Sequence, residues 1–290
     1  MEKIANKLIR ILKPKEFNKI INLADVRTSN EKISEINAGL KKRLGGHDFD
    51  PSHKVYALAQ NLLSHFSEEV SVLKEFTIFY NMWQKADHEY MPSGPPMSPL
   101  TASYFTYWIM LDFRFGHSKE TIGTIFYDVG MERKIDETIL KATQNLNESS
   151  MAFYQHLGFA DDMMVLKDII TNQVYNCICP SGYKGKKDEI WFVRLVPNLD
   201  EVYAYYITMN TPYIIVNYSE NDWLSFFRRQ GIKTEDEGYQ YKSYGFLKYH
   251  PDHNYWHNYI MDAYSNYTSG CIYLTGIPDI KGSKPHEMNF

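Results

Sequence analysis

Apolar residues recur at steps of three and four along the first half of the chain, which is the period of an amphipathic α-helix. The stripes continue to about Asn147 and predict roughly seven helices, enough for an all-helical domain over residues 1–148. The clearest stripes are Ile4, Leu8 and Ile11; Ile33, Ile36, Leu40 and Leu44; Val55, Leu58, Leu62 and Phe66; Leu100, Tyr104, Trp108, Leu111 and Phe115; Ile122, Ile125, Phe126 and Val129; and Ile135, Ile139, Ala142 and Leu146.

Several residues predict where these helices begin and end. The pair Asp50–Pro51 is typical of a cap followed by the first helical turn, and Ser67 is placed to cap a further helix. The segment Tyr90–Pro99 must be a loop or extended, because its prolines remove backbone donors and fix φ. Gly116 and Gly130 each follow an apolar stripe and predict two helix ends.

The pattern changes after Ser150. From Met151 to about Val216 the apolar runs are short and rich in Val, Ile, Tyr and Phe, and turn-forming residues separate them. About five or six strands with no helix between them predict a small antiparallel β-barrel of SH3 or OB size over residues 149–216.

The tail, residues 217–290, predicts mainly helix. Ser219 is placed to cap one helix, and Asp252 is placed to cap another whose apolar stripe would end at Tyr267. A short strand is predicted at Cys271–Leu274. We therefore predict an α+β fold with a helical N-terminal domain, a small barrel and a C-terminal helical extension packed on the barrel.

Composition narrows the functional classes. The formal net charge of the 290 residues is -4, so no global positive field attracts nucleic acid or anionic lipid, and such contact would need a local patch. No apolar run reaches the roughly 18 residues that span a bilayer, and Met1–Leu12 lacks the apolar core of a signal peptide. Three cysteines give no disulfide framework. We expect a soluble, cytoplasmic protein without membrane contact.

One part of the predicted barrel resembles a pattern in uncharacterised bacterial proteins. In Leu166–Asn198 a strand, a "D-x2-T" turn, a second strand, a Gly-rich turn and a "W-x-V-R-L-x-P" strand follow one another, and Tyr273–Asp279 ("YLTGIPD") is similar to the ends of such proteins. The resemblance implies a bacterial chain with a small barrel over residues 151–216, and it implies no activity. Similar barrels occur beside a C-terminal zinc-knuckle motif, but this chain lacks that Cys-rich motif, so its metal is not carried over.

Histidines suggest a metal site in the tail. His250, His253 and His257 lie close together, and a histidine pair at i and i+4 on a helix can share a zinc ion, with His250 as a third ligand. A metalloprotease would need a Glu inside the pair, and none is present. The alternative is that these histidines flank the apolar face of the predicted helix and hydrogen-bond to nearby loops.

A second cluster combines His47, Asp48, His53 and His88 as possible ligands or catalytic groups, provided that two loops converge. A metal-dependent hydrolase could use it. The alternative is a solvated pair of loops.

The cysteines provide a weaker candidate. Cys177 and Cys179 are two apart on a predicted strand and would share a face, and Cys271 could join them. A second Cys pair of the zinc type is missing, so buried thiols are the simpler interpretation.

The loop from Ser181 to Lys187, "SGYKGKK", is the most positive short segment. Its glycines would let backbone amides approach an anion, Lys184, Lys186 and Lys187 would supply charge, and Tyr183 could stack on a base. A solvated hairpin tip with the same composition is the alternative. We therefore expect a non-enzymatic binding or regulatory protein that holds a protein or nucleic-acid partner through the barrel, with a metal-dependent hydrolase using bound zinc as the alternative.

Overall fold

The computed structural model describes residues 2–12, 50–71, 73–77, 80–81, 84, 106–200, 204–216, 218–229, 264–268 and 270–274. Their backbone is α+β, with helices and a mixed eight-stranded sheet. The described residues form two compact units, one within Met1–Asp87 and Ile109–Glu148 and the other within His88–Trp108 and Ser149–Phe290. We call them the helical unit and the sheet unit.

Amphipathic helices build the helical unit. Phe66 and Phe126 pack edge to face with their ring centroids 5.3 Å apart, and Asn145 donates a 2.7 Å hydrogen bond to the hydroxyl of buried Tyr56. Two of the apolar stripes predicted from the sequence, those of Phe66 and Phe126, thus meet in one core, whereas the predicted stripe from Ile33 to Leu44 lies outside the described residues. The described helices are α1 (Ile4–Ile11), α2 (Pro51–Val70), α3 (Ile122–Arg133) and α4 (Glu137–Glu148), with a 3₁₀ turn at Lys74–Phe76 and a π-helical turn at Trp108–Asp112.

The predicted start of α2 is confirmed, and two other predicted boundaries are wrong. Asp50 Oδ1 accepts a hydrogen bond from the backbone N–H of His53 at 3.0 Å, as a helix cap does. Ser67 lies inside α2 and donates to the carbonyl of Ser64 instead of starting a helix. Gly130 does not end α3, which continues to Arg133, and a Cβ at this position would lie 2.8 Å from the side chain of Ile135. That glycine serves close packing.

Gly116 is also misplaced as a helix end. The helical turn before it stops at Asp112, and Phe115 forms an isolated β-bridge with Glu120. Gly116 has a φ of 71° and turns the chain between these two residues. Trp108, Leu111 and Phe115 of the predicted stripe are buried, although the backbone at Phe115 is not helical; Leu100 and Tyr104 lie outside the described residues.

Among the described residues of 151–216 the structure has six strands, in agreement with the predicted five or six. The pairings β1–β2, β2–β3, β3–β5, β5–β4 and β4–β1 link five of them into a ring. The hairpin between β1 and β2 turns on Asp161 and Asp162, both at positive φ, as a two-residue type I′ turn requires. The strands are β1 (Met151–Ala160), β2 (Met163–Asp168), β3 (Val174–Ile178), β4 (Ile190–Pro197), β5 (Tyr206–Thr208) and β6 (Tyr213–Ile215).

The sheet is not purely antiparallel, which corrects the sequence prediction. The three-residue strand β5 runs parallel to β3 and antiparallel to β4, so it inserts between two strands that are consecutive along the chain. Beyond the ring, β4 pairs with β6, β6 pairs in parallel with β8 (Ile272–Leu274), and β8 pairs with β7 (Tyr264–Tyr267). Hydrophobic alternation locates strands but carries no information about their neighbours.

The tail contains both helix and strand. Ser219 caps helix α5 (Glu220–Arg229) as predicted. Ser219 N donates to Asp222 Oδ2 at 2.8 Å, and Asp222 N donates to Ser219 Oγ at 3.4 Å. The strand predicted near Leu274 is confirmed as β8. The helix predicted to reach Tyr267 is wrong at that end, because that residue belongs to β7. The rest of that predicted helix lies outside the described residues.

Helix α5 covers one outer face of the ring. Trp223 and Phe227 pack against Phe153 of β1 with centroid distances of 4.2 and 5.4 Å, and Lys167 of β2 forms a 2.7 Å salt bridge with Glu220. In the part of the chain that the structure describes, no helix combines the length and the apolar character that crossing a membrane demands.

Candidate functional site

Several strand ends meet on one side of the ring. Because β1 runs antiparallel to both β2 and β4, and β2 runs antiparallel to β3, the end of β1 lies beside the starts of β2 and β4 and the end of β3. The connection from β3 to β4, residues Cys179–Glu189, lies at this side and contains the positive segment found in the sequence. We call it the lysine loop.

The three lysines of this loop are exposed. Lys184, Lys186 and Lys187 point into solvent, and none of them forms a salt bridge with a carboxylate among the described residues. Asp188 is exposed beside them and accepts a 3.3 Å hydrogen bond from Gln155. The loop therefore presents three exposed ammonium groups, with the exposed carboxylate of Asp188 beside them.

A part-buried hydrogen-bond network fixes the base of the loop. Glu189 accepts hydrogen bonds from the Tyr183 hydroxyl at 3.0 Å and from the Trp191 indole N–H at 3.1 Å, and the two rings lie 5.4 Å apart. Burial, together with the nearby Glu189 carboxylate, raises the pKa of Tyr183, so the phenol stays protonated and donates. Gly185 has a φ of 69°, and a Cβ there would lie 2.4 Å from Trp191.

This network changes the interpretation of Tyr183. The sequence suggested that its ring could stack on a base, yet the ring is half-buried against Trp191 and its hydroxyl binds Glu189. Its observed contacts hold the loop in place. The lysines remain the residues of this segment that can meet a partner.

His156 of β1 attaches to the same loop and was not identified from the sequence. Its backbone pairs with the loop, since His156 N donates to Glu189 O at 2.9 Å and Asp188 N donates to His156 O at 2.8 Å. Its ring is buried, with Nε2 3.0 Å from the carbonyl of Lys184 and Nδ1 accepting from Gly158 N at 3.0 Å. An accepting Nδ1 carries no proton, so Nε2 carries it and donates to Lys184.

The neutral state of His156 agrees with its surroundings. Burial lowers the pKa of His156, and the hydrogen bond to Lys184 and the nearby carboxylates of Glu189 and Asp188 act weakly in the opposite direction. The bond from Gly158 exists because β1 has a bulge between His156 and Gly158, where φ of the glycine is 114°. A glycine inside a strand pattern was the available sequence signal.

The bulge also leaves apolar side chains at the end of β1 exposed. Leu157 is 36% and Phe159 is 52% exposed, and the Phe159 ring meets the edge of His156 with centroids 5.2 Å apart. Phe159 is connected to the lysine loop by His156, whose ring contacts Phe159 and the carbonyl of Lys184. Nothing in the sequence marks Leu157 and Phe159 as special, because apolar residues of this kind are common in strands.

The loop is tied on its other side to the segment before β8. Ser181 Oγ donates a 2.7 Å hydrogen bond to the carbonyl of Gly270, and Cys179 Sγ lies 3.1 Å from Ser181 Oγ. Cys177 and Cys271 are buried, and burial raises the pKa of Cys177 and Cys179, which keeps these two thiols protonated. The cysteines form part of the packing around the loop.

The metal candidates are only partly within the described residues. His250, His253 and His257 lie outside them, as do His47, Asp48 and His88. His53 lies in the first turn of α2. Burial lowers the pKa of His53, and the nearby charge of Asp50 acts in the opposite direction. Within the described ranges, no three His, Cys, Asp or Glu residues come together as a metal site.

Two residues in the segment that resembles the bacterial proteins, Asp168 and Arg194, form hydrogen bonds that hold the local structure. Asp168 Oδ1 accepts from the backbone N–H groups of Ile170 and Thr171 at 2.8 and 2.9 Å, which closes the turn into β3. Arg194 is buried and donates to the carbonyl and hydroxyl of Ser149.

No protein-family model, no curated protein and no solved structure matches the chain.

Proposed function

We propose that this chain is a non-enzymatic binding protein that holds nucleic acid through the lysine loop, with the five-strand ring acting as a small barrel that supports the loop. The observation that carries the proposal is the combination of three exposed lysines, at 184, 186 and 187, with a loop base fixed by part-buried hydrogen bonds. Phosphates of a nucleic acid are the ligands that such a set of ammonium groups attracts most strongly.

Preorganisation is the physical reason for favouring binding. A flexible loop would lose conformational entropy on meeting its partner, whereas this loop is already held at Tyr183, at Lys184 and at Ser181. Since the whole chain carries a net charge of -4, attraction has to come from this local patch. Asp188 opposes it, so we expect moderate affinity with a marked dependence on salt.

The test compares two triple variants. Lys184, Lys186 and Lys187 are changed together to Glu, and the control changes exposed Lys54, Lys119 and Lys141 of the helical unit to Glu, so that both variants have the same net charge. Binding is measured by fluorescence anisotropy with a labelled mixed-sequence oligonucleotide at several salt concentrations. We expect the loop variant to lose on the order of 10- to 100-fold in affinity at low salt and the salt slope to fall by about 2. The control should retain nearly all binding.

Two results would overturn the proposal. One is a wild-type chain that binds neither single-stranded nor duplex nucleic acid at low salt, which would favour the expected protein partner instead. The other is equal loss in the loop and control variants, because that would reflect net charge rather than a site.

The alternative of a metal-dependent hydrolase stays a prediction. It depends on His250, His253 and His257 or on His47, Asp48, His53 and His88. Elemental analysis of the purified chain tests it, and stoichiometric zinc that is lost on changing His253 and His257 to Ala would favour it.

A further inference from the structure

Phe159 occupies an unusual position for an aromatic residue. It lies on β1 after the bulge and pairs with Met164 of β2, whose side chain is buried in the ring. Paired residues of neighbouring strands share a face, so Phe159 stands on the inward-facing side at the end of the ring. It is nevertheless 52% exposed.

The Phe159 ring and the lysine loop belong to one fixed surface. His156 contacts both, with its ring 5.2 Å from Phe159 and its Nε2 3.0 Å from the carbonyl of Lys184. The edge contact with His156 restrains the phenyl ring and leaves much of it open. Leu157, also partly exposed, extends the apolar surface along β1.

We infer that the partner is a single-stranded nucleic acid, and that Phe159 is the platform on which one of its bases stacks while the loop lysines bind the adjacent phosphates. This inference rests on the proposed function. A duplex offers the lysines its phosphates but keeps its bases stacked on one another, so it would leave Phe159 without a ligand. A single strand supplies both the phosphates and an open base, which matches an exposed aromatic beside positive charge.

The experiment changes Phe159 to Ala and to Tyr in the full chain. Val174 changed to Ala is the matched control, because Val174 is 54% exposed on β3 and is likewise an apolar strand residue. The probes are one labelled mixed-sequence single strand of about 16 nucleotides and the same sequence as a blunt duplex. Thermal unfolding of each variant shows that the fold is kept.

We expect F159A to weaken single-strand binding by about 5- to 100-fold, since stacking on an aromatic residue contributes that much per base. The salt slope should not change, because no phosphate contact is lost. F159Y should bind like the wild type, V174A should have no effect, and duplex binding should be the same for all variants.

The outcomes separate this inference from the proposed function. If the lysine variant loses binding while F159A binds the single strand as well as the wild type, the stacking platform is disproved and the lysine site stands. A wild-type chain that prefers the duplex would also overturn the inference. If neither probe binds, both proposals fail together.

Discussion

Polar side chains that are wholly or partly buried have different roles in the helical unit and in the sheet unit. In the helical unit Glu120 is buried and accepts hydrogen bonds from the N–H groups of Ile4 and Ala5 at 2.7 and 3.2 Å, while Arg133 donates to the carbonyl of Leu12 at 2.6 Å. Side chains of distant residues thus form hydrogen bonds with the backbone at both ends of α1.

In the sheet unit the corresponding groups hold an exposed loop. Glu189 and His156 bind the backbone and rings of the lysine loop, and the lysine side chains remain exposed to solvent. Such polar bonds therefore have two outcomes in this chain. They complete a helix in one unit and position charge at the surface in the other.

The largest expected effect comes from breaking the helical arrangement. Changing Glu120 to Ala leaves the N–H groups of Ile4 and Ala5 without their carboxylate and should lower the free energy of unfolding by about 2 kcal/mol. Urea unfolding followed by circular dichroism measures the loss, and exposed Glu132 changed to Ala is the control. Nucleic-acid binding should not change. Equal midpoints for the two variants would show that Glu120 does not stabilise α1.

Changing Glu189 to Ala should reduce stability by a smaller amount and should also weaken binding. Changing it to Ala removes the acceptor of the Trp191 indole and of the Tyr183 hydroxyl, which should cost about 1–2 kcal/mol and weaken binding on the order of threefold or more. Tyr183 changed to Phe removes one of the two bonds and should show part of both effects. Full binding by the Glu189 variant would contradict a role for this network in positioning the lysines.

The pH dependence of stability sharpens the role of His156. Its pKa is lowered in the folded chain, so the unfolded chain binds more protons than the folded one at mildly acidic pH. Stability is therefore fully present above the ordinary histidine pKa near 6.5 and is lost as the pH falls through the lowered value. Protonation would also end the hydrogen bond from Gly158.

Changing His156 to Gln isolates this contribution from that of His53, whose pKa is also lowered. Urea midpoints at several pH values between about 7 and 5 should fall less steeply for this variant than for the wild type. The same slope in both chains would mean that His156 is not the titrating group.

The smallest expected effect is a gain in affinity. Asp188 changed to Asn removes the exposed carboxylate beside the lysines but retains an oxygen that can accept from Gln155. Binding of the labelled strand should tighten by about two- to threefold at low salt, and the gain should vanish at high salt. Weaker binding by this variant would argue against charge attraction at the loop.

Much of the fold could be predicted from the sequence because its signals are local. The start of α2 depends on Asp50 and the hairpin of β1 and β2 depends on Asp161 and Asp162, all of which act within a few residues. The insertion of β5 between β3 and β4 could not be predicted, since it depends on pairings between distant strands.

For the same reason, only part of the candidate site could be predicted from the sequence. The composition of the loop identified its three lysines, because exposed charge needs no partner to be recognised. His156 gained its importance from the bond to the carbonyl of Lys184, which lies 28 positions away in the sequence. No local pattern reports contacts of that kind.

The most direct test of the central claim is the salt dependence of single-strand binding for the wild type and for the chain with Lys184, Lys186 and Lys187 changed to Glu. The fixed lysine loop predicts a steep loss of wild-type affinity with rising salt and a slope shallower by about 2 in the variant. Parallel slopes with similar affinities would contradict it, because the loop lysines would then contribute nothing to holding the strand.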